Sequence, residues 1–240
     1  MREVLEEAAV VYRHEAESLL IVAAPAVLLG PLCVLIASSG LRAAIASVPV
    51  LMIVYVFSYA ASLRAARLVL DSDEPDPARV FFETVARLPS IVVAFAPIGL
   101  ALGVATACAF YVANEGLSLV AFALGLLGGV VTLAWAARHT YDLPLVVGYG
   151  VGGFDALRSG LQVLEVAPGW TARIFVATGL PLIVAFLVCW GLWFLIAPAF
   201  GAVVFAAIAA AWLPFAALSF TGACIRLVSD EAVVEEPAQA

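Results

Sequence analysis

The chain has no lysine. All eleven basic residues are arginine, set against 18 acids and two histidines, for a net charge of −7. Nucleic acid is excluded as a partner, because its phosphates need basic patches. Docking on anionic lipid by charge is disfavoured for the same reason. Charge of either sign is scarce, at 12% of 240 residues, where a soluble globular chain carries about 25%. In its place stand 65% hydrophobic residues and a mean hydropathy of +1.13. So much apolar surface has no place in water, which excludes a soluble globular enzyme and implies a polytopic membrane protein. The acidic, lysine-free balance suits a high-salt interior, where dense carboxylates keep a surface hydrated; high-GC codon usage gives the same bias to arginine.

Metal-binding and redox motifs are also missing. Cys33, Cys108, Cys189 and Cys224 all fall in apolar runs without a CxxC pair, which leaves zinc, iron–sulfur and thiol-redox chemistry without ligands. They read as small buried hydrophobes. The opening Met1-Arg-Glu-Val-Leu-Glu-Glu lacks the basic region of a signal peptide. The first apolar run is therefore expected to stay as a membrane span.

What is present is long, charge-free sequence. Five blocks lack Asp, Glu, Arg, Lys and His: Ser18–Leu41, Ala43–Leu63, Leu88–Asn114, Gly116–Ala137 and Ile174–Ile225. A helix needs about 20 apolar residues to cross the hydrocarbon core. The first four blocks suit one crossing each, and the last, of 52 residues, suits two, broken near Ala197–Gly201. An all-α fold with six transmembrane helices follows. The runs are continuous rather than alternating, which excludes a β-barrel. Ten arginines fall on one side of these spans and only Arg42 on the other. The positive-inside rule then puts both termini and the two long connections in the cytoplasm of a cell-membrane protein. The outer connections are too short for an extracellular receptor or adhesin.

The cytoplasmic segments are two-faced. Asp76-Pro77 is a helix start, after which Ala78, Phe81, Phe82, Val85 and Leu88 keep helical spacing against a stripe of Arg79, Glu83 and Arg87. A second such helix is expected from Asp155, with Phe154, Leu157, Leu161 and Leu164 facing away from Arg158, Gln162 and Glu165. The amino terminus repeats the pattern, with Val4, Leu5, Ala8, Val11 and Tyr12 opposite Glu3, Glu6, Glu7 and Arg13. Short amphipathic helices of this kind lie in the interface plane.

Each precedes a pair of spans. Ser18 through Pro25 aligns with Ser90 through Pro97, and more loosely with Thr171 through Pro181. The exits carry Arg67 with Asp71, Arg138 with Asp142, and Arg226 with Asp230. Three tandem units are expected in one integral domain (1–72, 73–142 and 143–229), followed by an acidic disordered tail at 230–240. Their shared orientation differs from the inverted repeats of many transporters.

Two motifs in Leu143–Asp155 imitate known sites. Gly148, Gly150 and Gly153 satisfy GxGxxG, but the βαβ context that gives that motif meaning is absent. Val147-Gly-Tyr-Gly150 echoes a potassium filter. Val146 replaces the required threonine, Pro144 spoils a pore helix, and the arginines put the segment on the inner face. A flexible joint is the expected structure there. Gly99/Gly103 and Gly125/Gly129 are small-residue faces suited to close helix packing. No ionisable residue lies deep in a span, as proton relays and intramembrane catalysis normally require. No hydroxyl has a nearby acid or base. No catalytic residue, cofactor or metal is assigned.

The run Asp142 through Leu161, leading into Thr171-Ala-Arg-Ile-Phe, resembles an element of certain uncharacterised six-helix membrane families. In these a hydrophobic stretch, a small-residue turn and an Ala-Leu-x-x-Ser interfacial helix precede a span. Related pieces resemble the membrane domain attached to some glycerophosphodiester phosphodiesterases. Ala156 and Leu157 match; Gly160 takes the serine position, and Ser159 sits one place early. The resemblance implies a fold rather than an activity, and the spans leave no room for the phosphodiesterase portion.

The expected function is non-enzymatic: organisation of lipid, a partner protein or a homo-oligomer through the cytoplasmic helices. Phe81, Phe82, Leu157 and Leu161 are the candidate contacts. The exit pairs Arg67/Asp71, Arg138/Asp142 and Arg226/Asp230 are candidate head-group or partner contacts, although such pairs more often anchor helix ends. The alternative is a permease, or permease subunit, for a neutral or apolar solute, suggested by the prolines and hydroxyls of the spans.

Overall fold

The computed structural model describes residues 2–37, 39, 41–97, 120, 123, 127, 137–195 and 198–234. Among the described residues the chain is helical, with no strand. Hydrocarbon offers no water to backbone N–H and C=O groups, so a spanning segment has to satisfy them itself. The helices are α1 (Arg2–His14), α2 (Ala16–Ala37), α3 (Leu41–Leu70), α4 (Pro77–Ala86), α5 (Leu88–Pro97), α6 (Asp142–Tyr149), α7 (Gly153–Val166), α8 (Pro168–Leu195) and α9 (Pro198–Val234).

Among the described residues, three stretches are long and apolar enough to cross a bilayer: Ala16–Ile36, Pro49–Leu70 and Val203–Val228. Helices α4 and α5 reach that criterion only together, bent by 68°. This is fewer than the six crossings expected. The block from Leu88 is described only as far as Pro97, and 98–136 lies almost wholly outside the described residues, with Cys108 and both small-residue glycine faces. The expected tail begins as helix, since α9 runs to Val234; residues 235–240 lie outside the description.

Helices α2, α3 and α9 pack on one another, with α8 and α1 against α9, α4 against α3, and α6 between α3, α7 and α9. The buried core gathers at the arginine-bearing end of this bundle. It includes Leu19, Val22, Leu63, Ile91, Tyr141, Val146, Ile174 and Leu218. Leu28, Leu32, Ile53 and Val188, further along the spans, face outward, as side chains solvated by lipid do.

Each amphipathic helix enters the next helix through a single break residue: Glu15, Arg87 or Ala167. The carbonyl of that residue accepts the N–H four positions on, from Leu19 (3.0 Å), Ile91 (3.0 Å) and Thr171 (3.2 Å). Those three residues are buried, and so are Val22, Ala94 and Ile174 one turn later. One break therefore serves as the end of one helix and the start of the next.

Prolines tie the helices together. A proline lacks the N–H for the preceding turn and distorts the helical bonds beside it. Side chains of neighbouring helices bond to backbone groups close to these prolines. Ser58 accepts the N–H of Ala26, next to Pro25, at 3.1 Å. Trp212 donates to the Thr178 carbonyl, in the turn before Pro181, at 2.8 Å. Tyr12 donates to the Ala211 carbonyl, in the turn before Pro214, at 3.0 Å. These contacts join α2 to α3, α8 to α9 and α1 to α9. Where apolar burial gives little drive between helices, such bonds add association energy.

Ser58→Ala is expected to destabilise the protein by about 1 kcal/mol, because it removes a buried hydrogen bond between α2 and α3. Ser62→Ala, whose hydroxyl bonds back to its own helix at Ser58 O, should cost less. Reversible unfolding in mixed micelles measures the difference.

Candidate functional site

The centre of the buried cap is α6, in the segment where a flexible joint was expected. Its sequence explains why it is ordered instead. Leu143 through Val147 is an apolar run, Pro144 lies in the first turn where a missing N–H costs nothing, and Gly150 stops the helix. Gly150 adopts φ +72° and returns its N–H to Val146 O at 3.1 Å. Every side chain from Asp142 to Val147 is buried. Helix α7 then starts at Gly153, two residues before the expected Asp155. A Cβ at Gly153 would stand 2.7 Å from both Ser90 O and Val93 Cβ, so that glycine lets α7 rest on α5. The glycine spacing that imitates a nucleotide motif serves a helix stop and a close packing contact.

Asp142 opens α6 with its side chain 0% exposed. Its Oδ2 lies 2.7 Å from His139 Nδ1, and its Oδ1 has no hydrogen-bond partner among the described residues. On the other side stands Gly160 of α7, where a Cβ would collide with Asp142 Oδ1. No other residue type fits there without moving the carboxyl. Two effects compete at this carboxylate. The α6 N-terminus favours negative charge by about 0.3–2 kcal/mol, whereas burying a charge costs several kcal/mol. Burial wins, and pushes the Asp142 carboxyl up to about 8. Burial, and then the nearby Arg138 charge, push His139 down. Burial therefore disfavours the charged form of each partner in this contact.

The described exit residues differ in what they contact. Arg67 meets Asp71 at 2.8 Å, as its spacing suggests, and also lies over the Tyr149 ring at 4.8 Å. Asp142 turns to His139 within the core, which takes it away from the surface exit expected for it, while Arg138 stays exposed. Arg226 reaches Glu3 at 3.1 Å and Glu7 at 3.0 Å, clasping α1 to α9. The side chain of Asp230 lies outside the description.

On α4 part of the polar stripe turns inward, whereas Glu3, Glu6 and Glu7 of α1 and Asp155, Arg158, Gln162 and Glu165 of α7 are exposed. Glu83 of α4 binds Arg64 of α3 and Arg79 of its own helix, and the Arg87 guanidinium donates to the Val147 carbonyl at the end of α6. Phe82 on the opposite face is 77% exposed, beside exposed Val85 and Leu88. Phe81 is half-buried and stacks on Phe57, with ring centroids 6.0 Å apart. On α7 the buried face is Gly153, Ala156, Gly160 and Val163. Leu157 and Leu161 are half-buried, and Phe154 is 77% exposed. A cavity of about 440 Å³ with an apolar lining, including Met52, Val56, Phe57, Ile91 and Phe95, lies between α3 and α5.

The buried acid–imidazole pair and Gly160 escape sequence reasoning because Asp142 reads as one member of a regular exit series. One signal was available: Gly160 interrupts an otherwise good amphipathic helix at about 1 kcal/mol relative to alanine, which implies a close approach there. Among the described residues no three His, Cys, Asp or Glu side chains converge as a metal site would require. Comparison with protein families, curated proteins and solved structures returns no match.

Burial would raise the Glu83 carboxyl, but the hydrogen bonds from Arg79 and Arg64 outweigh it and hold it below 4.5. Its contribution is therefore complete above that value and is lost as pH falls through the lowered one. Amide exchange of Val80–Ala86, corrected for its intrinsic pH dependence, should accelerate only below about pH 4.5. Glu83→Gln should show faster exchange at neutral pH, with no acid step.

Proposed function

We propose a non-enzymatic, multi-pass protein of the cell membrane with six transmembrane helices and both termini cytoplasmic. Its helices form three tandem units of amphipathic helix plus hairpin. The shared geometry of the Glu15, Arg87 and Ala167 joints supports the repeat. The ten-to-one arginine distribution supports the orientation. The resemblance of the Asp142–Leu161 run to six-helix membrane families points to the same fold.

Within that frame the protein acts as a scaffold of the inner leaflet, anchored by its amphipathic helices and binding a partner protein through them. One observation carries this reading. Polar residues of α4 that would ordinarily face water are spent on contacts inside the molecule, while Phe82, Val85 and Phe154 point away from it. Aromatic side chains in such a position are the usual anchors of membrane-interface contacts.

A second reading, a permease for a neutral or apolar solute, is favoured by the apolar cavity between α3 and α5. Solute flux in reconstituted vesicles would establish it, and flat flux across a broad neutral panel would end it.

Affinity purification in mild detergent tests the scaffold. The wild-type chain should retain a stoichiometric partner, and Phe82→Ser with Phe154→Ser should lower its recovery by about tenfold or more. Purification of the wild-type as a lone, inert monomer would contradict the proposal.

A further inference from the structure

Asp142 is enclosed from several sides, and each side constrains it. Its own helix α6 is buried along one whole run. His139 covers Oδ2 at 2.7 Å, and the bare backbone of α7 at Gly160 covers Oδ1. The described charged groups on the neighbouring elements are engaged elsewhere or face outward. On α3, Arg67 is held by Asp71 and Tyr149 and Arg64 by Glu83; on α9, Arg226 is held by Glu3 and Glu7. Asp155, Arg158 and Glu165 of α7 are exposed, as is Arg138. The titratable neighbours Tyr141 and Cys224 are buried and neutral, with the Tyr141 hydroxyl bonded to Thr171 at 2.9 Å. None of these offers a cation to a charged Asp142, and the Gly160 contact leaves no space for one.

We propose that the Asp142–His139 pair beneath Gly160 is a proton-binding site, and that the bound proton latches α7 onto α6. With the proton in place, Asp142 donates through Oδ2 to His139 Nδ1 and its other oxygen rests uncharged against α7. When the proton leaves to solvent, the carboxylate has to find water, and the way out is past Gly160. Helix α7, with its outward Phe154, must then move off α6. This site is independent of the scaffold reading, because it depends on the folded cap and not on any partner.

The sign follows from the raised carboxyl. The folded state holds a proton that the unfolded chain has released, so the stabilisation is complete below the ordinary value of 3.8 and is lost as pH rises towards about 8. The purified full-length protein in lipid nanodiscs tests this in two ways. Infrared spectroscopy of the wild-type at pH 7 should show a protonated-carboxyl band that is absent at pH 9.5 and absent from Asp142→Asn. Its apparent melting temperature should fall between pH 6 and pH 9, while that of Asp142→Asn, a permanent mimic of the neutral acid, should change much less. Gly160→Ala should lower the wild-type melting temperature by displacing the carboxyl. A wild-type spectrum without that band at pH 7 would overturn the proposal even if both variants failed to fold. An Asp142→Asn variant that kept the full pH-dependent fall would overturn the latch.

Discussion

Lipid tails solvate a leucine about as well as another leucine does, so the hydrophobic effect that folds soluble proteins gives little reason for these helices to stay together. What remains is close packing and the requirement that every backbone polar group find a partner. The arrangement of this molecule follows from that constraint. Its helices meet through small residues such as Ala60, Ala61, Ala65 and Ala66 of α3. They are further joined close to prolines: at Ser58 with Ala26, Trp212 with Thr178, and Tyr12 with Ala211. A proline that would weaken an isolated helix becomes, in the bundle, the place where a neighbour is attached.

The same constraint places the charges. At the arginine-bearing end the chain has enough polarity to build specific contacts, and the buried core gathers there. Arg64, Glu83 and Arg79 fix α4 to α3, Arg87 caps α6, and Arg226 secures α1. Because the Glu83 contact of α4 is made internally, Phe82 and Val85 of that helix are left outside. In water that would be a fault; at a membrane interface it is an anchor. Asp142 sits at the middle of this cap, and its neutral form is the one that its surroundings accept.

Much of this was legible in composition and spacing. The apolar runs give the helices and three of the crossings, Asp76-Pro77 starts α4 with the Asp76 carboxylate capping Ala78 N–H at 3.0 Å, and the two-faced segments become α1, α4 and α7. Which face turns inward was not legible, because periodicity marks a stripe without saying whether lipid, water or protein lies against it. Repetition misled at Asp142. Arg67 and Asp71 pair as their spacing suggests, but the same spacing at Arg138 and Asp142 is overridden by His139 three residues away and by the glycine of a helix 18 positions downstream. The Leu143–Val147 run was read by its glycines when its apolar length was the better guide. A short buried helix differs from a flexible joint only through the tertiary contacts that enclose it.

The depth of the outward aromatic residues is the quantity on which all of this turns. A nitroxide attached at Phe82→Cys in the protein reconstituted into lipid vesicles reports it, with Asp155→Cys as the polar reference. Oxygen, which concentrates among acyl chains, should relax the label at position 82 more strongly than a water-soluble nickel chelate, and the order should reverse at position 155. If the chelate dominates at both positions, α4 is in water and the inward-polar, outward-apolar arrangement has no membrane to explain it.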